Sequence, residues 1–504
     1  MNYLERAFKY PVKDWYVEHT SALPLPLSGL ARGFTSGLKL KEYRFVLSYY
    51  KNGQIDWLTL IKDQNEIGKL IVAKGETHWK KEFKKWLHIK KNIEKYLQFI
   101  RKKDLSKMSD KKIMAEVDKC VGLNWEERKT SSLHDPFMFY ADRKLTELLK
   151  NFIQKNPKLK ITVGQAQEIL TKPESPSFFV EFEADLIKIA KEIIKNPKLK
   201  NKFVTGSAKE ENIGDTKISR MINSHFDKFV WIKGDSFSKG KEYTFNELDK
   251  HLSEIIGSDI KKLEAENTLW RKNKKIRQAY ILKSKFNQSI LNLANISSFF
   301  AKWQDLRKED TMTNTYLLTK FVKEISKRTG VDEDYIFYLD YAEIKDLFAK
   351  KINLQDLKKR ASGCLSIYGK EGKPEIFYPD EFKNFVNNII NPPQEKVSSI
   401  SGNIASPGKA IGKVKVVVTL EDMNKVKKGD ILVSTMTRPE HIIAMKKAAA
   451  IVTNEGGITC HAAVISRELK IPCVIGTKIA TRVLRDGNLV EVDADAGIIK
   501  IIHQ

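Results

Sequence analysis

Residues 453–467 read Thr-Asn-Glu-Gly-Gly-Ile-Thr-Cys-His-Ala-Ala-Val-Ile-Ser-Arg, and this stretch decides the expected fold of the C-terminal part of the chain. The apolar residues just before it, from position 450, have the composition of a buried strand, and the Gly-Gly pair predicts a tight turn. The small residues that follow predict a helix from His461 to Leu469. The order of strand, turn and helix therefore places His461 in the first turn of a helix.

This position favours phosphoryl chemistry on His461. Free backbone N–H groups and the helix dipole attract anions at a helix start, and an imidazole with a pKa near ~6.5 is substantially neutral at neutral pH. Gly456 and Gly457 leave room for phosphate oxygens, Thr459 offers a hydroxyl or a cap, and Arg467 can pair with phosphate or with a nearby carboxylate. From the spacing alone, a capped helix start with a structural Arg467 ion pair is the more common arrangement.

The composition of the last hundred residues predicts a compact α/β domain over 403–504. Strand patterns occur at 413–419, 431–434, 450–453, 488–493 and 497–502, and helical patterns occur at 438–449 and 461–469. Pro-Pro followed by a polar stretch without periodic apolar residues predicts a linker over 391–402.

Residues 1–390 are expected to be mainly helical. Apolar residues recur at three- and four-residue spacing over 79–100, 181–194 and 245–256, and 267–307 predicts either one long helix or a helical hairpin. Residues 43–50 and 56–61 instead predict a pair of strands. The expected fold class is therefore multidomain, with a mainly α N-terminal region followed by a C-terminal α/β domain.

The overall composition limits the classes of binding partner and the cellular location that are expected. A formal charge of +26 would suit an anionic partner, but most of the 89 basic residues are lysines in helical patterns, and no nucleic-acid motif accompanies them. Binding to nucleic acid is therefore not expected. No apolar run approaches the ~20 residues of a membrane helix, no signal peptide is recognisable, and the four cysteines form no C-x-x-C pair. These features predict a cytoplasmic protein.

The run from Gly456 to Glu468 resembles the phosphohistidine signature of the phosphoenolpyruvate-utilising enzymes, a family that includes phosphoenolpyruvate synthase and rifampin phosphotransferase. Residues 405–412 resemble the opening of the swivelling domain of that family, and 451–454 and 471–477 resemble its flanking segments. Residues 437–440 resemble the loop that faces the histidine, which makes Arg438 a further phosphate neighbour. The resemblance implies a swivelling phosphohistidine domain with His461 as phosphoryl carrier.

Family members of full length pair this domain with an ATP-grasp module, and no pattern of one is recognisable here. The resemblance therefore implies a separate ATP-grasp or other phosphoryl-donor protein, with Mg²⁺ needed where ATP is used and no cofactor bound by this chain. The order of helical region and histidine domain resembles members whose helical region binds a small-molecule acceptor. Trp15 to Ser28 and 335–344 are similar to parts of that region.

Sequence alone leaves the acceptor site undefined. Five polar or aromatic residues are candidates for it, each with packing or surface exposure as the alternative: His19, His225, Trp231, Arg307 and Arg360. Two other functions stay open, a regulatory or binding protein that keeps the fold without turnover and, with less support, a protein associated with nucleic acid.

Overall fold

The computed structural model describes residues 2–36, 41–51, 54–159, 161–171, 174–214, 216–234, 239–370, 374–390, 397–417, 421–437, 441–454, 456 and 460–503. As expected, a mainly helical N-terminal region precedes a C-terminal region built on a mixed sheet. No helix among the described residues is long and apolar enough to cross a membrane.

The N-terminal region contains seventeen α-helices and five strands among its described residues. The helices are α1 Tyr3–Ala7, α2 Pro24–Ser36, α3 Ile61–Arg101, α4 Asp110–Ser131, α5 His134–Lys155, α6 Val163–Thr171, α7 Phe178–Ile194, α8 Pro197–Val204, α9 Lys217–Phe229, α10 Phe245–Ile256, α11 Ile260–Asn267, α12 Asn273–Ser284, α13 Gln288–Thr329, α14 Glu333–Ile336, α15 Ile344–Phe348, α16 Leu354–Ser362 and α17 Pro379–Phe385. The strands are β1 Trp15–Ser21, β2 Val46–Lys51, β3 Gln54–Leu60, β4 Cys364–Tyr368 and β5 Pro374–Phe377.

The centre of the helical region is an aromatic core between α3, α5 and α13. Trp79, Trp86 and Trp303 are almost fully buried, and the rings of Phe137 and Phe300 stack with centroids 4.0 Å apart. Such rings bury large apolar areas, so they account for much of the packing free energy of the long helices. The core therefore fixes α5 and α13 against each other.

The bounds of two helical segments differ from those predicted by the apolar periodicity of the sequence. The helix predicted over 79–100 begins at Ile61, and Gly75, with φ +76°, interrupts it because glycine accepts this backbone conformation without strain. The segment 267–307 is not one helix: α12 ends at Ser284, Lys285 follows it with φ +49°, and the Asn287 side chain caps α13. The segment is therefore broken into separate helices rather than forming one long helix.

The predicted pair of strands belongs to a larger antiparallel sheet with the order β1-β3-β2-β4-β5. Val46 and Tyr50 of β2 belong to the helical core, whereas Leu47 between them packs on the opposite face with residues of α1 and α17. Helices thus cover both faces of the sheet. β1 is an edge strand, and its pairing with β3 places Tyr16 opposite Thr59 and Glu18 opposite Trp57.

The C-terminal region contains an eight-stranded sheet with the order β6-β13-β12-β8-β9-β10-β11-β7. Its strands are β6 Ser399–Ser401, β7 Asn403–Ser406, β8 Lys409–Val417, β9 Ile431–Ser434, β10 Ala450–Thr453, β11 Cys473–Ile475, β12 Leu489–Asp493 and β13 Ile498–His503. Its helices are α18 Ile442–Met445, α19 His461–Leu469 and α20 Ala480–Val483. Strands β8 to β11 are parallel to one another, and β9, β10 and β11 bury apolar residues on both faces.

Two predicted segments differ from the structure in this region. Residues 391–396 of the expected linker lie outside the described residues, but Ser399–Ser401 is a strand that pairs with β13 and buries Ile400. A single apolar residue is too short a pattern to reveal such a strand. The helix predicted over 438–449 is limited to Ile442–Met445 among the described residues, because the chain turns before β10.

Candidate functional site

The loop between β10 and α19 begins at a firmly held asparagine. The Asn454 side chain is 1% exposed, donates to Thr481 Oγ1 over 2.5 Å and accepts from the Thr481 backbone N–H over 2.9 Å. The backbone N–H of Thr477 donates to the carbonyl of Thr453 over 3.0 Å. These bonds tie the carboxyl end of β10 to the segment before α20, so the loop starts from a fixed point.

Gly456 is required by the backbone of this loop. Its φ is +116°, a conformation that L side chains rarely adopt. A Cβ built on Gly456 would lie 2.6 Å from the Sγ atom of Cys460 and 3.2 Å from its Cβ. Both the backbone angle and the contact with Cys460 therefore exclude a side chain at this position.

His461 is the first residue of α19, as predicted, and Cys460 is the N-cap residue with extended φ and ψ. The first-turn N–H groups of an α-helix have no intrahelical partner, which makes this end of α19 suited to an anion. Burial raises the pKa of the Cys460 thiol despite the nearby backbone amides and Arg467, so the thiol is held protonated and is a poor nucleophile.

Ala462 and Ala463 are buried in the core and do not form an open surface beside His461. Small residues beside His461 could keep the helix start open to another protein, but Ala462 is 1% exposed and Ala463 is 0% exposed. Both pack in the core beneath the sheet with residues such as Ala405 and Cys473. They therefore let α19 lie close to the sheet.

The remaining predicted phosphate neighbours are only partly described. Gly457, Thr459 and Arg438 lie outside the described residues. Arg467 lies near the end of α19, where its Nε atom is 3.4 Å from Oε2 of Glu168 in α6 and its Nη1 donates to the carbonyl of Ala405 over 3.5 Å. In this arrangement the expected carboxylate partner of Arg467 comes from the helical region.

A cavity of about 340 Å³ lies where the C-terminal region meets the helical region. The sheet face of β1 and β3, helices α2, α5 and α13, and Met436 with Gly456 of the C-terminal region line it. Small-molecule sites have volumes of ~300–1,000 Å³ and combine apolar walls with a few polar groups. We call this space the junction cavity. Its contact with Gly456 brings it to the loop that precedes His461.

Aromatic and aliphatic side chains form most of the junction cavity. The rings of Tyr16 and Phe139 meet edge to face with centroids 5.4 Å apart. Leu27, Leu30 and Phe34 contribute one stripe of α2. Further walls come from three other residues: Tyr43, Trp57 and Met138.

The described ionisable residues that line the junction cavity are Glu18, Asp135 and Arg307, together with the phenols of Tyr16 and Tyr43. Burial raises the pKa of Tyr43 well above its ordinary value. Arg307 is 8% exposed, and its Nη1 and Nη2 donate to the two carboxylate oxygens of Asp135 over 3.0 Å each. Burial lowers the pKa of Arg307, but the charge and hydrogen bonds of Asp135, together with the charges of Glu127 and Glu18, outweigh this effect, so the pKa is raised and Arg307 is a permanent cation.

Of the four acceptor-site candidates whose side chains the structure describes, Arg307 alone lines the junction cavity. The backbone of His19 lies in β1, but its side chain is outside the described residues. His225 lies 3.2 Å from Asp185, and Arg360 forms ion pairs with Glu343 and Asp356. Trp231, the remaining candidate, lines a different cavity.

The cavity that Trp231 lines has a volume of about 500 Å³ and is larger than the junction cavity. Its described lining comes from the helical region and includes Glu94, Arg220, Asp227 and Trp231, whereas Gly456 lines the junction cavity. The described residues include no group of three or more His, Cys, Asp or Glu side chains that could hold a metal ion.

Sequence reasoning missed Asp135, Phe139 and Met436 of the junction cavity. They lie on separate elements, and no motif around them signals a shared site. The sequence placed Glu18 only within the segment Trp15 to Ser28. The structure shows that Glu18 lies opposite Trp57 on the edge strand β1 and lines the junction cavity.

Comparisons with known proteins agree with the site in the C-terminal region. Residues 426–497 match the family described as PEP-utilising enzyme, mobile domain. A probable phosphoenolpyruvate synthase of Archaeoglobus fulgidus is 49% identical over 156 residues, which are 31% of this chain and 20% of that protein. Phosphoenolpyruvate synthase of Pyrococcus furiosus is 55% identical over 100 residues, which are 20% of this chain and 12% of that protein.

A third relative, phosphoenolpyruvate synthase of Deinococcus radiodurans, is 38% identical over 161 residues, 28% of this chain and 21% of that protein. The chain thus spans between 12% and 21% of the length of these three relatives. A chain of Thermococcus kodakaraensis aconitase X is 25% identical and covers 21% of this chain and 98% of its own length, but the TM-score of 0.17 supports no inference.

Proposed function

Because its C-terminal region carries the mobile domain of PEP-utilising enzymes, we propose that this chain is a phosphotransferase component that carries a phosphoryl group on His461. In this proposal the mobile domain receives the group from a donor and brings it to an acceptor in the junction cavity. The observation that supports it most directly is that Gly456, in the loop that precedes His461, lines the same cavity as Glu18 and Arg307.

The charge pattern of the site supports such a carrier. The N-terminus of α19 favours the added negative charge of a phosphoryl group, and Arg307 supplies a permanent cation on the acceptor side. Transfer of a phosphoryl group depends mostly on positioning and electrostatic stabilisation of an in-line displacement. A docked mobile domain would provide the positioning, and the Arg467–Glu168 ion pair is one contact of the docked state.

The donor belongs to another molecule in our proposal. A separate protein with an ATP-grasp module, or phosphoenolpyruvate with a partner enzyme, would charge His461. The mobile domain would then swing between donor and acceptor. Mg²⁺ would accompany ATP on the donor.

Labelling tests the carrier role. The full chain is incubated with radiolabelled ATP and Mg²⁺ plus an ATP-grasp protein, with radiolabelled phosphoenolpyruvate, or with phosphoramidate as a chemical donor. The expected label is acid-labile and base-stable, is lost in His461→Ala and is retained in His503→Ala, whose histidine lies on β13. Label that survives His461→Ala would contradict the proposal, whereas a charged His461 that no acceptor discharges would favour a regulatory protein.

A further inference from the structure

One surface helix of the N-terminal region, α12, combines positive charge with exposed apolar side chains. Residues 267–304 contain no Asp or Glu, whereas the whole chain has 63 acidic residues among 504. The structure describes every residue of this stretch, and eight of them are basic: Arg271, Lys272, Lys274, Lys275, Arg277, Lys283, Lys285 and Lys302. Seven of the eight lie in or beside α12, so positive charge is concentrated at this helix.

The inner face of α12 is fixed by contacts with the rest of the helical region. The Nε atom of Arg277 donates to the carbonyl of Leu170 in α6 over 2.7 Å, and the guanidinium pairs with Glu174. Tyr280 and Ile281 pack against the helical core. The residues on the opposite side of the helix therefore face solvent. The undescribed residues on either side of α6 are not acidic in sequence: Lys160, Lys172 and Pro173.

The outer face of α12 consists of lysines and apolar side chains. Lys272, Lys275 and Lys283 are exposed and form no ion pair with any residue that the structure describes. Leu282 lies among them with 78% of its surface exposed, and Ile276 is 44% exposed. A face that only contacts water would be expected to carry polar residues at these two positions. The combination therefore indicates a binding surface with both an electrostatic and an apolar component.

The exposed apolar side chains distinguish between the anionic partners that lysines could bind. An apolar side chain gains little against a nucleic-acid backbone, where contacts to phosphate come from charged and polar groups. Lysines together with Leu, Ile and Trp are instead typical of helices that lie in the interface of an anionic membrane. Just before α12, Leu269 is 54% exposed, and the Arg271 guanidinium lies 5.7 Å from the ring centroid of Trp270. These neighbours extend the same composition.

We propose that the outer face of α12 binds the surface of an anionic lipid bilayer, with Leu282 and Ile276 entering the headgroup region and the lysines contacting lipid phosphates. Such binding is peripheral and needs no spanning helix. It is also independent of the carrier role of His461. Because α12 packs on α6, and Glu168 of α6 pairs with Arg467, only one helix separates the membrane-binding face from the C-terminal region.

Sedimentation with vesicles tests this proposal. The full chain is mixed with vesicles of phosphatidylcholine alone, and with vesicles of phosphatidylcholine and phosphatidylglycerol in equal parts. We expect binding only to the anionic vesicles, and weaker binding as salt rises because salt screens the charges. Combined Lys272→Gln, Lys275→Gln and Lys283→Gln should weaken binding about 10²-fold, at about fivefold for each charge. Leu282→Ser should weaken it about tenfold because an inserted apolar side chain is lost.

Two control variants separate this face from the net charge of the chain and from exposed leucines elsewhere. One combines Lys81→Gln, Lys84→Gln and Lys91→Gln, which remove exposed lysines of α3, and the other is Leu354→Ser at the start of α16. Both should bind like the unmodified chain.

Four results would overturn the inference: no binding to the anionic vesicles, equal binding to both kinds of vesicle, equal loss of binding in either control, or unchanged binding in Leu282→Ser. Tighter binding of the outer face to a DNA duplex or to polyglutamate would then assign it to nucleic acid or to an acidic protein. Labelling of His461 is measured separately, so either proposal can fail without the other.

Discussion

Arg467, on the helix that begins with His461, forms an ion pair with Glu168 of the helical region, with 3.4 Å between Nε and Oε2. The pair joins the region that carries the candidate phosphoryl group to the region that lines most of the junction cavity. The two side chains are 21% and 25% exposed, so water weakens their attraction without removing it.

Glu168→Gln should therefore favour the undocked arrangement. Partly exposed ion pairs contribute about 0.2–1 kcal/mol, which corresponds to a change in the docked fraction of up to about fivefold. Transfer to an acceptor should slow by a similar factor while charging of His461 is unchanged, and small-angle scattering should report a larger radius of gyration. Glu264→Gln removes a surface pair within the helical region and serves as the control. A normal transfer rate in Glu168→Gln would show that the pair does not stabilise docking.

Asp135→Asn should destabilise the protein and loosen the part of the junction cavity wall that Arg307 forms. The substitution removes the negative charge beside the buried Arg307 and replaces one of the two oxygens that accept its 3.0 Å bonds by an amide nitrogen, which cannot accept. Breaking a fully buried pair costs about 3–5 kcal/mol, and because Asp135 is 38% exposed we expect about 2 kcal/mol in the free energy of unfolding by urea.

Asp110→Asn provides the control for this measurement, because Asp110 is 63% exposed and bonds the better-buried Arg328 at the surface. Its cost should not exceed about 1 kcal/mol. Equal effects of the two substitutions would show that the Arg307–Asp135 pair is no more important for stability than a surface pair.

Gly456→Ala should impair charging of His461 by more than about tenfold. The added Cβ meets a left-handed φ of +116°, which costs about 1–3 kcal/mol in strain, and it also meets Cys460, the N-cap of α19. Gly429 has φ +94° but open space around it, so Gly429→Ala introduces the strain without the contact. Labelling of both variants measures the difference, and equal labelling would mean that the Gly456–Cys460 contact is unimportant for the site.

Asp305 should make the stability of the protein depend on pH between about 4 and 6. Burial raises the pKa of Asp305 to about 6 despite the bond from the Phe178 backbone N–H, whereas an unfolded aspartate titrates near ~3.9. In this window the folded state binds more protons than the unfolded state, so stability falls as pH rises. Asp305→Asn should remove about 2 kcal/mol of this fall, measured by urea unfolding at pH 4 and pH 7. An unchanged pH profile in the variant would contradict the assignment.

The sequence predicted local structure better than long-range pairing. The hairpin of β2 and β3 was foreseen because both strands lie within fifteen residues of each other, but β4 and β5 join them from more than three hundred residues away. No local pattern records such a pairing. The break between α12 and α13 was left open for a similar reason, since Lys285 in a left-handed conformation has no distinctive sequence signal.

The candidate site likewise has one part that a local motif predicts and another that depends on long-range packing. His461 at the start of α19 follows from one continuous motif, so it was predicted from the sequence. The junction cavity instead combines Glu18 of β1, Asp135 of α5 and Arg307 of α13 with the loop at Gly456. The packing of the aromatic core and the contact between the C-terminal and helical regions bring these residues together, so no sequence pattern could have grouped them.

A direct measurement of phosphorylation at His461 tests the central claim. The full chain is incubated with phosphoramidate, and ³¹P NMR follows the appearance of a phosphohistidine signal. We predict one such signal in the unmodified chain and in His503→Ala, and none in His461→Ala. A phosphohistidine signal that survives in His461→Ala, or no signal in the unmodified chain, would contradict the claim that His461 carries the phosphoryl group.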